Sequence, residues 1–218
     1  MAAPALLPGL ERTSLRQQAL DALRRAISSG QLAPGTPLVE TELSEMLRIS
    51  RGTLREALRE LQLEGLVSSG ARGGLSVRHL NAKEIQDLFA VRAALESLAA
   101  RTLSSLPDRS TMIATLRDAI EIMARAEHDG LEERIEADLN FHRTLVALTE
   151  NETLVRSWQA LEGTIRMSIM FAGEDRAVSN MNVDRHTEIV DAIETGNPAE
   201  ARTTIITHMD EAANNLVA

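Results

Sequence analysis

The sequence predicts a mainly α fold, in which an N-terminal winged helix-turn-helix with a small β hairpin precedes a C-terminal antiparallel α-helical bundle. Three observations lead there. Leu54, Leu58 and Leu61 recur at three to four residues and mark a buried helix face, and only Arg48-Ile49-Ser50 separates that helix from the one before it. Two short runs, 65–69 and 74–78, flank Gly70-Ala71-Arg72-Gly73 and predict two strands joined by a loop, the candidate wing. After residue 80 the apolar spacing is helical throughout, in six capped or bounded segments. The expected organisation is a flexible N-terminus over 1–12, a winged unit over 13–79 and an all-helical unit over 80–218.

The winged unit opens with a helix over 14–29 that turns Leu15, Ala19, Leu23, Ala26 and Ile27 inward and is stopped by Gly30 and Pro34-Gly35-Thr36-Pro37. Thr41 is the expected cap of a short second helix with Leu43, Met46 and Leu47 inward. Ser50 caps the third, where Arg51, Arg55 and Arg59 recur every four residues on another face. A helix N-terminus offers amide donors and a positive dipole end to a phosphate, and arginine forks reach guanine edges. A solvated charged face would give the same stripe, so the neighbouring helix and the wing decide for double-stranded DNA.

With the long first helix, the Pro-Gly loop, the short turn and the wing in order, residues 13–79 resemble the N-terminal domain of the GntR superfamily of bacterial transcription regulators. The motif residues are Ser50-Arg51, Arg55-Glu56-Ala57-Leu58 and Glu64-Gly65-Leu66. The resemblance implies that Ser50, Arg51, Thr53 and Arg55 contact operator DNA and that Arg72 and Gly73 of the wing approach the minor groove or backbone. Gly52-Thr53 stands where many relatives have Thr-Pro, and Thr41 where some have a backbone-gripping arginine.

Composition sets the surroundings. The 218 residues are 44% hydrophobic, enough for a substantial core. Without cysteine there are no disulfides and no thiolate metal sites. No long apolar run and no leader-like start point to a membrane, so a cytoplasmic protein, on the nucleoid when bound to its operator, is expected. The net charge of −9 divides at residue 80: ten arginines against eight acids precede it, and thirteen basic residues against twenty-four acids follow. The acidic half disfavours its own approach to DNA, which leaves the arginine stripe and wing to attract phosphate.

In the bundle, Asn81 and Glu84 predict a capping box opening a helix to about Leu103, with Ile85, Leu88, Phe89, Leu95 and Leu98 inward. Pro107-Asp108 opens the second, which ends near Asp129-Gly130. The third runs over 131–149, the fourth over 151–172 and the fifth over 178–195. Asn197-Pro198-Ala199-Glu200 starts the sixth with cap, first-turn proline and box glutamate. Short connections make neighbours antiparallel.

Asp138 and His142 are four apart and project from one helical face, while His186 and His208 add imidazoles from two further helices. Taken singly, each histidine is more simply a core or surface residue. Together they make a mixed N/O set suited to zinc, nickel, manganese, iron or cobalt rather than calcium. The stretches Asp138-Leu139-Asn140-Phe141-His142, His186-Thr187-Glu188-Ile189 and Arg92-Ala93-Ala94-Leu95-Glu96, with His208, are similar to the FCD ligand-binding domain of the FadR branch. Six helices rather than seven would put it near the VanR-like subgroup. The resemblance implies that Asp138, His142, His186 and His208 hold a divalent metal ion, zinc, nickel or manganese, and that a small carboxylate effector, an organic or sugar acid, binds beside it. Arg92 and Arg166 are the cations expected to fork onto that carboxylate, against the simpler reading of an ion pair with an acid such as Glu96. The expected protein is a homodimeric, effector-responsive regulator of the repressor kind, not an enzyme. The alternatives are a regulator that senses the ion itself and a metallohydrolase with a DNA-binding appendage. For the latter, no paired carboxylates or nucleophile supply acid and base.

Overall fold

A computed structural model of the chain describes residues 14–70 and 74–218. The expected flexible stretch 1–12 and the wing residues Arg72 and Gly73 lie outside the described residues. The N-terminal unit contains α1 (Leu15–Ser28), α2 (Glu40–Leu47), α3 (Arg51–Leu63), β1 (Val67–Ser69) and β2 (Leu75–Val77). Serines start two of these helices by satisfying first-turn amides that have no partner in their own helix. Ser14 Oγ accepts the Gln17 amide at 3.2 Å, and Ser50 Oγ the Thr53 amide at 3.1 Å. Thr41 is not a cap: Val39 stands at the N-cap of α2, and Thr41 lies inside the helix, where its carbonyl accepts the Ser44 hydroxyl. Arg48 ends α2 in the left-handed region, at φ 53°, and turns the chain sharply enough for α3 to begin at Arg51.

Leu23, Ile27, Leu54, Leu58 and Leu61 form the core of this unit, closed by Leu66, Val67 and Val77. Leu15 and Met46, expected inward, are exposed. Leu15 is the first helical residue, and two-turn α2 reaches the core through Leu43 and Leu47. The hairpin is antiparallel, with Val67 opposite Val77 and Ser69 opposite Leu75. Pro37 adds a bridge to Ser76, and the Leu38 amide donates to the Leu75 carbonyl at 2.8 Å, so the Pro-Gly loop lends the hairpin a third edge. One bridge leaves no alternating pattern, which is why this edge reads as loop in the sequence.

The C-terminal half contains α4 (Ala82–Ser104), α5 (Ser110–Ala126), α6 (Leu131–Ala147), α7 (Glu152–Met170), α8 (Glu174–Asn180), α9 (Val183–Glu194) and α10 (Pro198–Val217). The expected six helices are therefore seven among the described residues, and the six-helix subgroup assignment falls with that count. The segment read as one helix over 178–195 breaks at Met181-Asn182. Asn182 Oδ1 accepts the Asp184 and Arg185 amides at 2.8 and 3.3 Å and so starts α9 afresh, a case of asparagine competing with the helix it interrupts. The Asn81–Glu84 capping box is present. Asn197 caps α10, but Glu200 accepts the Thr195 hydroxyl instead of closing a box. Leu98, expected inward, faces out. α10 lies along α4, α5 packs on α6 and α9, and α6 packs on α7. No helix among the described residues is long and apolar enough to cross a membrane.

α7 belongs to both halves. Trp158 and Ile165 lie in the bundle core, whereas Met167 lies in the core of the winged unit. Between them the Thr164 hydroxyl donates to the Glu64 carbonyl at 3.1 Å. The next residue, Gly65, has φ +73°, and a Cβ there would stand 2.7 Å from Thr164 Oγ1. Gly65→Ala is expected to lower stability by about 1–3 kcal/mol through left-handed strain, with the clash against α7 in addition. Urea unfolding checks this, and an unchanged midpoint would contradict the close approach.

Candidate functional site

Two sites emerge, one on the surface of α3 and one inside the bundle. At the start of α3, Ser50 Oγ and Thr53 Oγ1 share a hydrogen bond of 2.9 Å, which sets both hydroxyls beside the helix N-terminus. Arg51, Arg55 and Arg59 are exposed along the same helix. Glu40, at the first turn of α2, lies beside two of them: Arg55 Nε donates to Glu40 Oε2 at 2.7 Å, and Arg51 Nη2 is 3.8 Å from the same oxygen. An exposed pair of this kind contributes up to about 1 kcal/mol, so it aligns the guanidinium groups without withdrawing them from a phosphate. Nothing in the local spacing announces Glu40, because it approaches from another helix. At Gly52 a Cβ would make ordinary contact with Ser50 Oγ at 3.7 Å, so the chain's own packing does not require glycine there. The Gly70 amide donates to the Gly74 carbonyl at 2.8 Å across the base of the wing loop.

Inside the bundle, α6 supplies Asp138 and His142, α9 supplies His186 and α10 supplies His208, all of them buried. The Nε2 atoms of His142 and His186 are 3.1 Å apart. Asp138 Oδ1 is 3.0 Å from His186 Nε2 and 3.9 Å from His142 Nε2. Ligand atoms of the three histidines lie within 4.8 Å of one another. Phe141 meets the rings of His142 and His186 edge-on, with centroids at 5.1 Å, and walls the cluster.

The proton positions follow from the partners. His186 Nδ1 is 2.8 Å from the Asn182 carbonyl, which can only accept, so Nδ1 carries a hydrogen and Nε2 is the atom turned to the cluster. His142 Nδ1 is 2.6 Å from Glu96 Oε2. Burial alone would raise the Glu96 carboxyl, yet His142 and Arg92 beside it, with hydrogen bonds from His142 and Trp158, lower it to about 2. Glu96 is therefore ionised and accepts from His142 Nδ1, which turns Nε2 of His142 to the cluster. Asp138 is also held at about 2, burial being outweighed by His186, His142 and Arg92. Burial, and then Arg92, push His142 below the usual imidazole range. Burial pushes His208 well below it, helped by His186, His142, Arg185 and Arg92. With their Nδ1 atoms committed to Glu96 and the Asn182 carbonyl, the Nε2 atoms of His142 and His186 converge with Asp138 Oδ1, a donor set that suits a cation when both rings are neutral. His208 Nδ1 is buried with no hydrogen-bond partner among the described residues.

The two expected effector cations part company. Arg92 is buried beside the cluster, and its Nε donates to Glu96 Oε1 at 2.7 Å, while its buried Nη2 has no hydrogen-bond partner among the described residues. The ion-pair reading therefore holds for Arg92, with one nitrogen left over. Arg166 is not at the cluster. It pairs with Glu136 and lines a cleft of about 530 Å³ between α7 and the winged unit, together with Arg24, Glu64 and Glu162. Glu96 and Trp158, whose Nε1 donates to Glu96 Oε1 at 2.9 Å, complete the site. The four-residue spacing of Arg92 and Glu96 is legible, but the reach of Glu96 to His142 and Trp158 spans tertiary distance.

The FCD domain family matches residues 87–211, and the family described as bacterial regulatory proteins, gntR family, matches residues 15–77. The chain is 31% identical over 202 residues to a Paenarthrobacter nicotinovorans protein named "Probable D-xylose utilization operon transcriptional repressor", covering 92% of this chain and 88% of that one. It is 30% identical to the Nta operon transcriptional regulator of Aminobacter aminovorans, covering 82% and 83%. The fold is similar to a crystal structure of a GntR-type transcriptional regulator from Rhodococcus sp. RHA1, with a TM-score of 0.78 and 22% identity over 93% of this chain and 97% of that one. Glu96→Ala is expected to cost about 3–5 kcal/mol in denaturant unfolding, because it leaves the Arg92 charge buried and uncompensated. A loss below about 1 kcal/mol would mean that Arg92 is solvated instead.

Proposed function

The chain belongs to the GntR family of bacterial transcription regulators and carries an FCD domain, and from that premise we propose that it is a homodimeric repressor whose hold on operator DNA responds to a small carboxylate bound beside a divalent metal ion. Members of the family are transcription regulators and not enzymes, which removes the metallohydrolase alternative. Repression is supported by the name of the D-xylose operon relative. Ser50, Arg51, Thr53 and Arg55 are the DNA contacts on α3, joined by Arg72 and Gly73 of the wing.

The observation that carries the metal reading is the convergence of His142 Nε2, His186 Nε2 and Asp138 Oδ1 at 3.0 to 3.9 Å. Asp138, His142, His186 and His208 would hold the ion, and three imidazoles with one carboxylate suit zinc, nickel or manganese. An ion held there would supply a Lewis-acid position for an effector carboxylate oxygen. Arg92 Nη2, buried with no hydrogen-bond partner among the described residues, is the protein group suited to the carboxylate's other oxygen. Glu96 fixes the ring of His142 and also accepts from Trp158 on α7, so a ligand that shifts this network acts directly on the helix carrying Thr164 and Met167 into the winged unit. The near-complete burial of all four ligands favours a second reading, in which the ion itself is the effector.

Elemental analysis and thermal-shift measurements with organic acids test the sensor. The purified protein is expected to carry a divalent metal, and one class of acid is expected to raise its melting temperature. His142→Ala loses both metal and shift. A full shift in metal-free His142→Ala would remove the metal from the effector site, and a shift caused by metal but by no acid would favour the second reading. For the head, Arg51→Ala with Arg55→Ala weakens operator binding and lowers the slope of log affinity against log salt by roughly one for each phosphate no longer neutralised. Unchanged affinity and slope would sink the α3 assignment.

A further inference from the structure

The outer face of α4 carries an apolar stripe that the fold leaves uncovered. Val91 and Leu98 are 50% and 37% exposed, and Ala90 and Ala94 between them are exposed as well. Lys83 and Asp87 form an ion pair at the N-terminal end of the stripe, and Arg101 lies exposed at the other end. An apolar centre between charged ends is the anatomy of an interface. The inner side of α4 is fully engaged, packed against α10, α6, α7 and α9.

We propose that this face docks onto the same face of a second copy of the chain, with the two α4 helices antiparallel about a two-fold axis at Ala94. This names the interface of the dimer under the regulator reading and rests on it. An isologous contact must be self-complementary, which fixes the register. Equal steps from Ala94 lead back to Asp87 and forward to Arg101, so each Asp87 faces the second copy's Arg101. The same count sets Ala90 against the second copy's Leu98, with Val91 one position along to complete the apolar centre. Ala94, small and exposed, lets the helices approach at the axis. A parallel arrangement would instead set Asp87 on Asp87 and Arg101 on Arg101, like charge on like.

The geometry also suits the output. From Ala94 to Ala82 the helix runs about 18 Å at 1.5 Å per residue. In the antiparallel pair the two α4 N-termini, from which the winged units hang, stand roughly 36 Å apart. Half-sites one helical turn apart on DNA are about 34–36 Å apart.

Sedimentation velocity of the full chain tests the proposal, with thermal melts recorded on every variant to establish folding. Asp87→Arg and Arg101→Asp lie on the surface and each is expected to weaken dimerisation by about tenfold or more, while the double swap restores it, since the charges then meet in reversed order. Leu98→Asp in the apolar centre gives monomers. Single swaps without effect, a double swap that fails to restore the dimer, or a dimer intact in Leu98→Asp would overturn the α4 interface while leaving a dimeric regulator in place. A wild-type chain that stays monomeric up to its solubility limit would overturn both.

Discussion

The pairing of Arg92 with Glu96 inside the bundle is the interaction on which the C-terminal half depends. Neither charge is tolerable alone at that depth, because an unpaired buried ion costs several kcal/mol. Glu96 resolves the problem by engaging both carboxylate oxygens: Oε1 accepts from Arg92 and Trp158, and Oε2 accepts from His142. Three helices, α4, α6 and α7, are thereby tied at one carboxylate. The chemical consequence lies one atom further on. With Nδ1 of His142 committed to Glu96, Nε2 is turned into the cluster, the arrangement by which an outer carboxylate orients and strengthens a metal-binding imidazole. Asn182 does the same for His186 through a backbone carbonyl, and it can do so because the chain breaks there to begin α9.

The same carboxylate connects the buried cluster, through α7, to the end of α3. Trp158 and Thr164 are neighbours along α7, about 9 Å apart at the helical rise. One touches Glu96 and the other the end of α3. The winged unit and the bundle therefore share one helix, α7. Clefts of about 530 and 490 Å³ are each lined by residues of both units, beside α7. The acidic bundle repels phosphate, which under the proposed reading leaves the arginine stripe of α3 and the wing to meet a duplex.

Much of this is legible in the sequence, and what is not has physical causes. Leucines at helical spacing, Ser50 as a cap, the Asn81–Glu84 box and the hairpin flanks are local signals, and the structure forms each one. The four ligand-type residues can be named because two of them share a helix face and all sit on long periodic segments. Asn182 is hidden by an apolar period that runs through it, and so the extra helix is hidden too. Leu98 has the spacing of a core residue but lies at the edge of a face that α10 does not cover. Glu40, Glu96 and Trp158 take their roles from partners on other helices, and no local pattern encodes that. Arg166 has only its own helix to place it in the sequence, and its partner Glu136 comes from α6.

The central proposal is that the histidine cluster takes a metal ion and that Glu96 links its occupancy to α7. Trp158 is the only tryptophan in the chain and donates to Glu96, so its fluorescence reads that link directly. Titration of metal-free protein with zinc is predicted to change the Trp158 emission saturably, with an end point at one equivalent per chain. Emission that stays constant while zinc binds would contradict the account.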